Sequence, residues 1–466
     1  MHNSNQHKHS ACPCGLSAFV TTTLTLLALA IGQAGSAMAE GMRVRVMTQN
    51  MYVGSAFSAL LASVSTVEDL KAAVTKIYNN ILASKPNERA IAVAKEIKTE
   101  HPDIIALQEA WILRTGAAGA PATKVETDQL EDLLNELHQQ GLPYEVIAIV
   151  PNLDAQAPTQ LSFDVRLTDR TVIIAEQPDL KLTNMRVQDY LVNSKVIPPA
   201  DAGIPIIINT RGWASVELTL SGHGLQIATT HFDNFPQFQF AIQRAQAGEA
   251  IRSLTNPALP IVFMGDFNLD PASLKLPSTY QLLINAGFSD AWKQRHPSDP
   301  GFTCCQDANL QNPNSELSTR MDLVLTRGAV SVEDIKLVGD QPSDRTPSDP
   351  PLWPSDHAGL LATLRILTPS VFVNAGNDSP RPVKSTGIVV GGADFPPGTA
   401  VNINLDARSS RGTATVGPDG SFEWDVSIQP PLKCAVGVGA TVHGADGIVV
   451  TAEGEVFCPP ARDQLR

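Results

Sequence analysis

An apolar strand runs directly into an acidic and an amide residue at Phe263-Met264-Gly265-Asp266-Phe267-Asn268. The strand is predicted over residues 260–264. Asp266 and Asn268 stand in i, i+2 register, so their side chains are expected to project in the same direction from its end. Taken singly, an Asp or Asn after a strand is usually a turn former. Two such side chains presented together are more informative and indicate a site at this strand end.

The same arrangement recurs along the chain. Polar side chains stand at the ends of other predicted strands, where turn formers would be expected: Asn50, Glu109, His231, Asp322 and the run Ser355-Asp356-His357. Together these positions supply carboxylates, amides and imidazoles. Turns alone do not require that combination, so the joint occurrence predicts a catalytic site.

These residue types meet the physical requirements of phosphodiester hydrolysis, the first of which is a set of oxygen ligands for a metal. A phosphodiester is anionic and repels hydroxide, so a hard divalent cation has to neutralise it. Glu109, with Asp356 or Asp266, supplies the carboxylate oxygens that Mg²⁺ prefers. An attacking water also needs a nearby carboxylate or imidazole as base.

The reaction also requires hydrogen-bond donors. Asn268, His231 and His357 are candidates to stabilise the pentacoordinate phosphate that develops in the reaction. A second carboxylate held against one imidazole fixes its tautomer and favours its charged form, and Asp322 fits that role.

Strands and helices alternate from residue 42 to about residue 366. Asn87 is predicted to cap a helix ending at residue 100, with Ile91, Ala94 and Ile97 on one face, and Thr127 to cap the next. Further helices are predicted at 238–254 and 279–286, with a helical excursion at 53–85. A long, partly extended excursion at 152–211 is expected to build a substrate-facing rim. From residue 368 onward, alternating Val, Ile and Thr with Gly and Pro turns predict an antiparallel β-sandwich.

Composition and charge limit the class of protein. The 466 residues are 43% hydrophobic and 17% charged, which is a globular profile and excludes wholesale disorder. The formal net charge of −13 argues against a broad basic surface for nucleic acid. An acidic chain can still bind phosphates if metal ions lie between the two negative partners.

Residues 1–39 have the features of a secretory signal peptide. Lys8 lies in the first part, an apolar stretch covers residues 16–31, and Ala37-Met38-Ala39 offers a small-x-small cleavage site. We therefore predict a protein that is secreted, periplasmic or at the cell surface after cleavage near Ala39. A retained N-terminal anchor is the alternative, and no later apolar run is long enough to span a membrane. The predicted domains are residues 40–367 and 368–466.

Four cysteines remain after the predicted cleavage: Cys304, Cys305, Cys434 and Cys458. In an oxidising compartment they suggest two disulfides. Cys434 and Cys458 flank two strand-like runs and are expected to pair. The adjacent Cys304 and Cys305 are candidates for a vicinal disulfide, since a Cys-Cys pair lacks the spacing of a zinc site.

The motifs resemble the endonuclease/exonuclease/phosphatase superfamily, the DNase I-like metal-dependent phosphodiesterases. The resemblance covers residues 42–366 in the family's order: Gln49-Asn50, Leu107-Gln108-Glu109, Thr230-His231, Gly265-Asp266-Phe267-Asn268, Arg320-Met321-Asp322 and Ser355-Asp356-His357. It implies a four-layer αββα sandwich within the α/β class. The C-terminal part resembles immunoglobulin-like modules in texture only.

Carried over to this chain, the resemblance implies a role for each residue. Glu109 resembles the principal Mg²⁺ ligand, with Mn²⁺ and Ca²⁺ as alternative ions, and Asn50 and Asp356 resemble its neighbours at the metal. Asp266 resembles the aspartate that activates or orients water. Asn268 and His231 resemble the hydrogen-bond donors to the phosphate. His357 resembles the essential histidine, and Asp322 resembles the aspartate that orients it.

The substrate is less determined than the chemistry. A secreted nuclease acting on DNA or RNA is the first hypothesis, and a sphingomyelinase-like phospholipase C or another phosphoester hydrolase is the second. Apolar residues that enter a membrane would favour the second, and the cluster Phe232, Phe235, Phe238 and Phe240 is a candidate, with ordinary packing as the alternative. A non-catalytic surface-binding protein on the same scaffold is the third hypothesis, from a different class.

The disulfide hypothesis predicts that the denatured, unreduced mature protein contains no free thiol. Both predicted pairs consume all four cysteines that remain after cleavage near Ala39. Titration with a thiol reagent in denaturant should therefore give no reaction before reduction and four thiols after it. Two or more reactive thiols before reduction would contradict the hypothesis.

Overall fold

The computed structural model describes residues 41–57, 64–176, 180–197, 200, 206–220, 222–234, 239–256, 259–273, 278–377, 384–418 and 420–458. The predicted signal peptide lies outside them. Gly41–Arg466 forms one compact unit. The helices in chain order are α1 (Val67–Ala83), α2 (Pro86–Glu100), α3 (Gln129–Gln139), α4 (Gln239–Ser253), α5 (Thr279–Asn285) and α6 (Ala291–Arg295), with 3₁₀ helices at Pro342–Asp344, Ala407–Ser409 and Ala445–Gly447.

The strands in chain order are β1 (Met42–Asn50), β2 (Ile104–Gln108), β3 (Ile112–Ala117), β4 (Lys124–Asp128), β5 (Tyr144–Pro158), β6 (Phe163–Glu176), β7 (Lys181–Asp189), β8 (Ser194–Val196), β9 (Ile207–Asn209), β10 (Gly212–Leu220), β11 (His223–His231), β12 (Ile261–Asp266), β13 (Ser289–Asp290), β14 (Asp322–Arg327), β15 (Val330–Val338), β16 (Gly359–Ile366), β17 (Ser370–Asn377), β18 (Thr386–Ala393), β19 (Ala400–Leu405), β20 (Arg411–Thr415), β21 (Phe422–Ile428), β22 (Gly437–His443) and β23 (Val449–Phe457).

Two mixed sheets build the larger part of the protein. The first has the order β15-β16-β1-β2-β6-β3-β4, with β5 paired to β6, and the second has the order β13-β14-β12-β11-β10-β7. Each sheet contains one parallel pair in its centre, β1 with β2 and β11 with β12. The neighbouring β16 and β14 run antiparallel to β1 and β12.

The sheets pack face to face, and helices cover their outer faces. One core joins the two sheets and includes Val46 of β1 and Ile227 of β11. A second core places α2 and α3 on the outside of the first sheet, and a third places α4 and α5 on the outside of the second. Burial of these apolar faces removes them from water, which is the main favourable term in folding. The predicted mixed α/β class is confirmed.

Two predicted helix caps are wrong. The second helix begins at Pro86, and the left-handed residue Lys85 (φ 48°) precedes it, so Asn87 lies inside the first turn. The third helix is capped by Asp128, whose carboxylate accepts from two backbone N–H groups, and Thr127 lies one residue outside. Proline at the first helical position has no N–H that a cap would satisfy.

The predicted face of α2 is correct only in part. Ala94 and Ile97 are fully buried, whereas Ile91 is 48% exposed on the opposite side. The strand predicted at residues 260–264 appears as β12, which begins one residue later and ends two residues later than predicted. The long excursion at 152–211 contains the end of β5, all of β6 and the strands β7 to β9.

Residues 370–457 form a third sheet with the order β20-β19-β22-β23-β17-β18-β21. Its core includes Val390, Ile403 and Val442. The described part of this region contains strands and 3₁₀ turns and no α-helix, as expected for an all-β region. Cys434 and Cys458 are disulfide-bonded here, with their Cα atoms 5.6 Å apart. An immunoglobulin-like topology and the boundary at residue 367 stay predictions. Among the described residues, no helix is long and apolar enough to cross a membrane.

Glu96 of α2 provides a test of the packing between this helix and the first sheet. Both of its carboxylate oxygens are buried without a hydrogen-bond partner among the described residues. Burial, and the charges of Asp344 and Asp340, raise the pKa of Glu96 well above 4.5. Glu96 therefore ionises more easily in the unfolded chain than in the folded protein. As pH rises from 4.5 through the folded-state pKa of Glu96, the folded state loses stability relative to the unfolded chain.

We expect Glu96→Gln to increase the free energy of unfolding relative to wild type more at pH 8 than at pH 5, by about 1–3 kcal/mol. Urea denaturation at both pH values measures this difference. Glu316→Gln, a change on an exposed side chain, serves as the control. An equal effect of Glu96→Gln on the free energy of unfolding at the two pH values would show that folding does not raise the pKa of Glu96.

Candidate active site

Every site residue predicted from the sequence lies at one edge of the two packed sheets. Asn50, His231 and Asp266 are the last residues of β1, β11 and β12, and Glu109 directly follows β2. The parallel pairs bring these carboxyl ends to the same edge. Asp322 opens the antiparallel strand β14, and residues 356–357 precede the antiparallel β16, so their beginnings meet the same edge. This placement explains why polar residues recur at those positions.

Gly265 permits the close approach of β11 and β12. Its φ of 152° lies in a region that side chains rarely adopt, and a Cβ here would lie 2.1 Å from the carbonyl oxygen of Thr230. Only glycine avoids that clash. The strand pairing then sets His231 beside Asp266, and Asp266 opposite Asp322.

His357 and Asp322 form a buried ion pair. Nδ1 of His357 donates to Oδ2 of Asp322 at 2.7 Å, and the Asp322 backbone N–H donates to Oγ1 of Thr303. Burial lowers the pKa of His357, but the charges of Asp322 and Asp356 outweigh it and raise that pKa well above 6.5. Nε2 of His357 lies 4.0 Å from Oδ1 of Asp356. His357 is therefore an imidazolium whose second N–H is directed into the site.

His231 has the opposite electrostatic environment. Arg211 Nη1 donates to Nδ1 of His231 at 3.0 Å, which leaves the ring proton on Nε2. Burial and the charges of Arg211 and His357 lower the pKa of His231 well below 6.5. Its Nε2 lies 3.4 Å from Oδ2 of Asp266. The two histidines thus differ: His231 is neutral and His357 is charged.

Asp266 accepts hydrogen bonds from two directions. Its Oδ2 accepts from Nδ2 of Asn50 at 3.0 Å, and its Oδ1 accepts from the backbone N–H of Asn268 at 2.8 Å. Burial and the charge of Asp322 raise the pKa of Asp266 to about 6. The strand ends at Asp266, and Asn268 adopts a left-handed conformation (φ 47°) with its amide held by the Phe232 carbonyl. The predicted i, i+2 projection therefore does not apply, although both residues line the same cavity.

The predicted metal ligands Asn50, Glu109 and Asp356 lie next to Asp266 and the two histidines. Asn50 Nδ2 donates to Oε1 of Glu109 at 3.4 Å, and the Val53 backbone N–H and Trp111 Nε1 donate to Oε2 at 3.0 and 3.4 Å. Asp356 lines the same cavity as Glu109.

Asp356 provides the test of whether a metal fits. Its Oδ1 is buried without a hydrogen-bond partner in the part of the chain that the structure describes. Burial, together with the charge of Glu109 and against that of His357, raises the pKa of Asp356 to about 7. Carboxylates that repel one another, with an unused buried oxygen, form a donor set that suits a hard divalent cation. The residues therefore fit the predicted metal.

Three supporting residues were not predicted from the sequence. Arg211 is paired with the buried Asp169 at 2.6 Å and fixes the tautomer of His231. Arg89, on α2, donates to the carbonyl oxygens of Met51, Tyr52 and Pro354, which joins the loop after β1 to the segment before β16. Arg211 ends the excursion expected to face the substrate, which was the available signal. Arg89 lies on a helix and gave no signal.

Two further predictions concern the surroundings of the site. The Cys304–Cys305 pair is disulfide-bonded in the structure, and Cys304 makes a β-bridge with His357, as expected of a loop beside the site. Phe232 is fully buried and packs edge-on against Phe267, with ring centroids 5.2 Å apart, which agrees with ordinary packing. Phe240 is 45% exposed, and residues 235 and 238 lie outside the described residues.

Comparison with known families agrees with this geometry. The sequence profile of the Endonuclease/Exonuclease/phosphatase family matches residues 47–357. The chain belongs to this family. The resemblance found in the sequence is confirmed, and all the site residues fall within the matched range. The family supports the predicted hydrolase of phosphoesters, and its enzymes generally depend on a divalent metal.

Solved structures with similar folds come from bacteria and animals. A family member from Beutenbergia cavernae is 17% identical, with coverage of 89% of this chain and 99% of that one and a TM-score of 0.45. The mannosyl-6-phosphatase of Bacteroides thetaiotaomicron is 15% identical over 69% of this chain and 99% of that one, with a TM-score of 0.43. TDP2 of D. rerio, complexed with a single-strand DNA product, has the same identity and coverage and a TM-score of 0.41. The comparison with curated proteins found no match.

We expect Asp322→Asn to lower kcat for phosphodiester cleavage by about 10²–10⁴-fold, because the neutral amide no longer stabilises the His357 imidazolium. The variant should keep a cooperative unfolding transition. Release of p-nitrophenolate from bis(p-nitrophenyl) phosphate measures the rate. Asp334→Asn, the same change on an exposed residue of β15, should retain the wild-type rate. A wild-type rate in Asp322→Asn would remove this pair from the mechanism.

Proposed function

We propose that this protein is a divalent-metal-dependent phosphodiesterase. The observation that carries the proposal is the pairing of a charged and a neutral histidine around buried carboxylates at one sheet edge. His357 owes its charge to Asp322, with which it is paired, and His231 owes its neutrality to burial and to Arg211. Carboxylates near such donors suit an anionic substrate only if a cation lies between them.

Glu109, Asp356 and Asn50 are the residues that would hold the metal, and Mg²⁺ is the ion that their oxygen atoms favour. A bound divalent cation neutralises the phosphodiester and stabilises the charge of the transition state. Mn²⁺ and Ca²⁺ take the same class of ligand. The unused oxygen of Asp356 supports this assignment.

The other residues are assigned by the protons they carry. His357 Nε2–H is a donor to a phosphoryl or leaving-group oxygen, because its imidazolium can release a proton there. His231 Nε2–H is a neutral donor to a second phosphoryl oxygen, with Asn268 beside it. Asp266, held by Asn50 and the Asn268 backbone, accepts the proton of the attacking water. Asp322 and Arg211 act by positioning the two imidazoles.

We further propose that the enzyme is exported, as the features of residues 1–39 indicate, and that the C-terminal sheet is an appendage of the catalytic part. The disulfide between Cys434 and Cys458 supports an oxidising location. A nuclease remains the first substrate hypothesis from the sequence.

The purified protein should hydrolyse bis(p-nitrophenyl) phosphate with Mg²⁺ and lose this activity in EDTA. His357→Ala and Asp266→Ala should each lower kcat by about 10²-fold or more. Glu109→Ala should raise the Mg²⁺ concentration needed for half-maximal activity. Asp334→Ala, which changes an exposed carboxylate, should match wild type.

Activity that resists EDTA, or a wild-type rate in His357→Ala, would contradict the proposal. Nicking of supercoiled plasmid, with Asp266→Ala as control, tests the nuclease hypothesis separately. Nicking that disappears in the control would establish a nuclease. Its absence, with ester hydrolysis retained, would leave the chemistry in place and move the substrate to another phosphoester.

A further inference from the structure

The cavity that contains the candidate active site is larger than the site itself. It has a volume of about 500 Å³, and Asp266, Asp356 and His357 line one part of it. The other part is apolar. Protein interiors leave few voids larger than a water molecule, so a cavity of this total size is not a packing defect. Its volume falls in the range of sites that bind small molecules, about 300–1,000 Å³.

Strands β5 and β6 form one apolar wall. Leu153, Ala155 and Ala157 alternate along β5 and line the cavity, and Leu167 and Val165 of β6 stand opposite Ala155 and Ala157. The intervening residues are polar.

On the face of β5 and β6 that points away from the cavity, Asp154 forms an ion pair with Arg166 and accepts a hydrogen bond from Thr168. This alternation directs the apolar side chains toward the cavity and the charged ones away from it.

Helix α1 forms the facing wall. Leu70, Val74 and Ile77 line the cavity and stand at i, i+4 and i+7, which is one face of a helix. They are between 4% and 9% exposed. The helix is fixed at its start by a capping box between Thr66 and Asp69. The apolar wall is therefore built by regular elements.

Glu109 lies where the polar and apolar parts meet. Its carboxylate accepts from Trp111 Nε1 and from the Val53 backbone N–H, and both of those residues line the cavity. A phosphate placed near Glu109 would therefore have His357 and Asp356 on one side and the apolar walls on the other.

The charge of the lining argues against a polyanionic occupant. Of the described residues that line the cavity, Arg211 is the only arginine or lysine. Its Nη1 already donates to Asp169 and to His231. Binding of nucleic acid depends on several cationic contacts to phosphates. This lining suits a single phosphate joined to an uncharged, apolar group.

We propose that the substrate is an amphiphilic phosphoester whose alkyl group occupies the apolar part of this cavity, with its phosphate at the Glu109–His357 end. The inference rests on the proposed phosphodiesterase activity and specifies its substrate class. The alkyl chain is bound by the walls of β5, β6 and α1, and the phosphate is bound by the catalytic edge.

A series of alkyl p-nitrophenyl phosphates, from methyl to octyl, tests this proposal in the full chain with Mg²⁺. Each added methylene should raise kcat/KM about fourfold until the cavity is filled, as expected for burial of one CH₂ group. The p-nitrophenyl ester of thymidine 5′-phosphate is the nucleotide competitor and should be a poorer substrate than the octyl ester. A flat or falling dependence on chain length, or a preference for the thymidine ester, would overturn the proposal.

Ala155→Phe and Ala72→Phe form a matched pair of variants. The first adds a ring inside the cavity, and the second adds the same ring to the exposed side of α1. Ala155→Phe should reduce the ratio of kcat/KM for octyl to methyl ester at least tenfold, and Ala72→Phe should leave it unchanged. An unchanged ratio in Ala155→Phe would contradict the assignment of the cavity. Thermal unfolding of both variants shows that they are folded.

A binding measurement separates failure of this proposal from failure of the proposed activity. Octylphosphonate should bind wild type at least 10²-fold more tightly than methylphosphonate in calorimetric titration, and Ala155→Phe should reduce that difference. If no ester is hydrolysed but octylphosphonate binds preferentially, the proposed activity fails and the cavity assignment stands. Equal binding of the two phosphonates overturns the assignment.

Discussion

The constraint on which the site depends is a pair of buried carboxylates on facing strands. Asp266 and Asp322 are directly opposite each other on β12 and β14, and each is at most 1% exposed. Like charges in that position destabilise a sheet, and burial makes their repulsion stronger. The fold tolerates the pair because each carboxylate has its own partners. Asp322 is neutralised by His357, and Asp266 is held by the amides of Asn50 and Asn268.

The same compensation assigns a protonation state to each histidine. The negative charge of Asp322 keeps His357 charged, whereas burial and the positive charge of Arg211 keep His231 neutral. Two chemically identical side chains thereby become different reagents. Among the described carboxylates of the site, Glu109, Asp266 and Asp356 have no cationic side chain hydrogen-bonded to them. The oxygens of Glu109 and Asp356 are the place that an external cation would occupy.

The sequence predicted the site because its residues are tied to strand ends, and strand ends can be located from short apolar runs. It could not predict Arg211, since the tautomer of His231 depends on a residue 20 positions away. It could not predict Arg89 either, because a buried arginine on an apolar helix face is read as a solvated charge. The predicted caps Asn87 and Thr127 were wrong, because α2 begins with Pro86 and because the carboxylate of Asp128 caps α3. The cavity arises from the packing of α1 against β5 and β6, which the sequence does not specify.

The catalytic edge and the apolar walls come from different elements. The catalytic edge is carried by the ends of β1, β2, β11 and β12 and by the residues at the starts of β14 and β16, and the apolar walls by α1, β5 and the first half of β6. Side chains of the walls can therefore be exchanged without moving a reacting group. In evolutionary terms, substrate specificity and bond cleavage can change independently. Descendants of one ancestral scaffold can therefore acquire new substrates while they keep the same catalytic reaction.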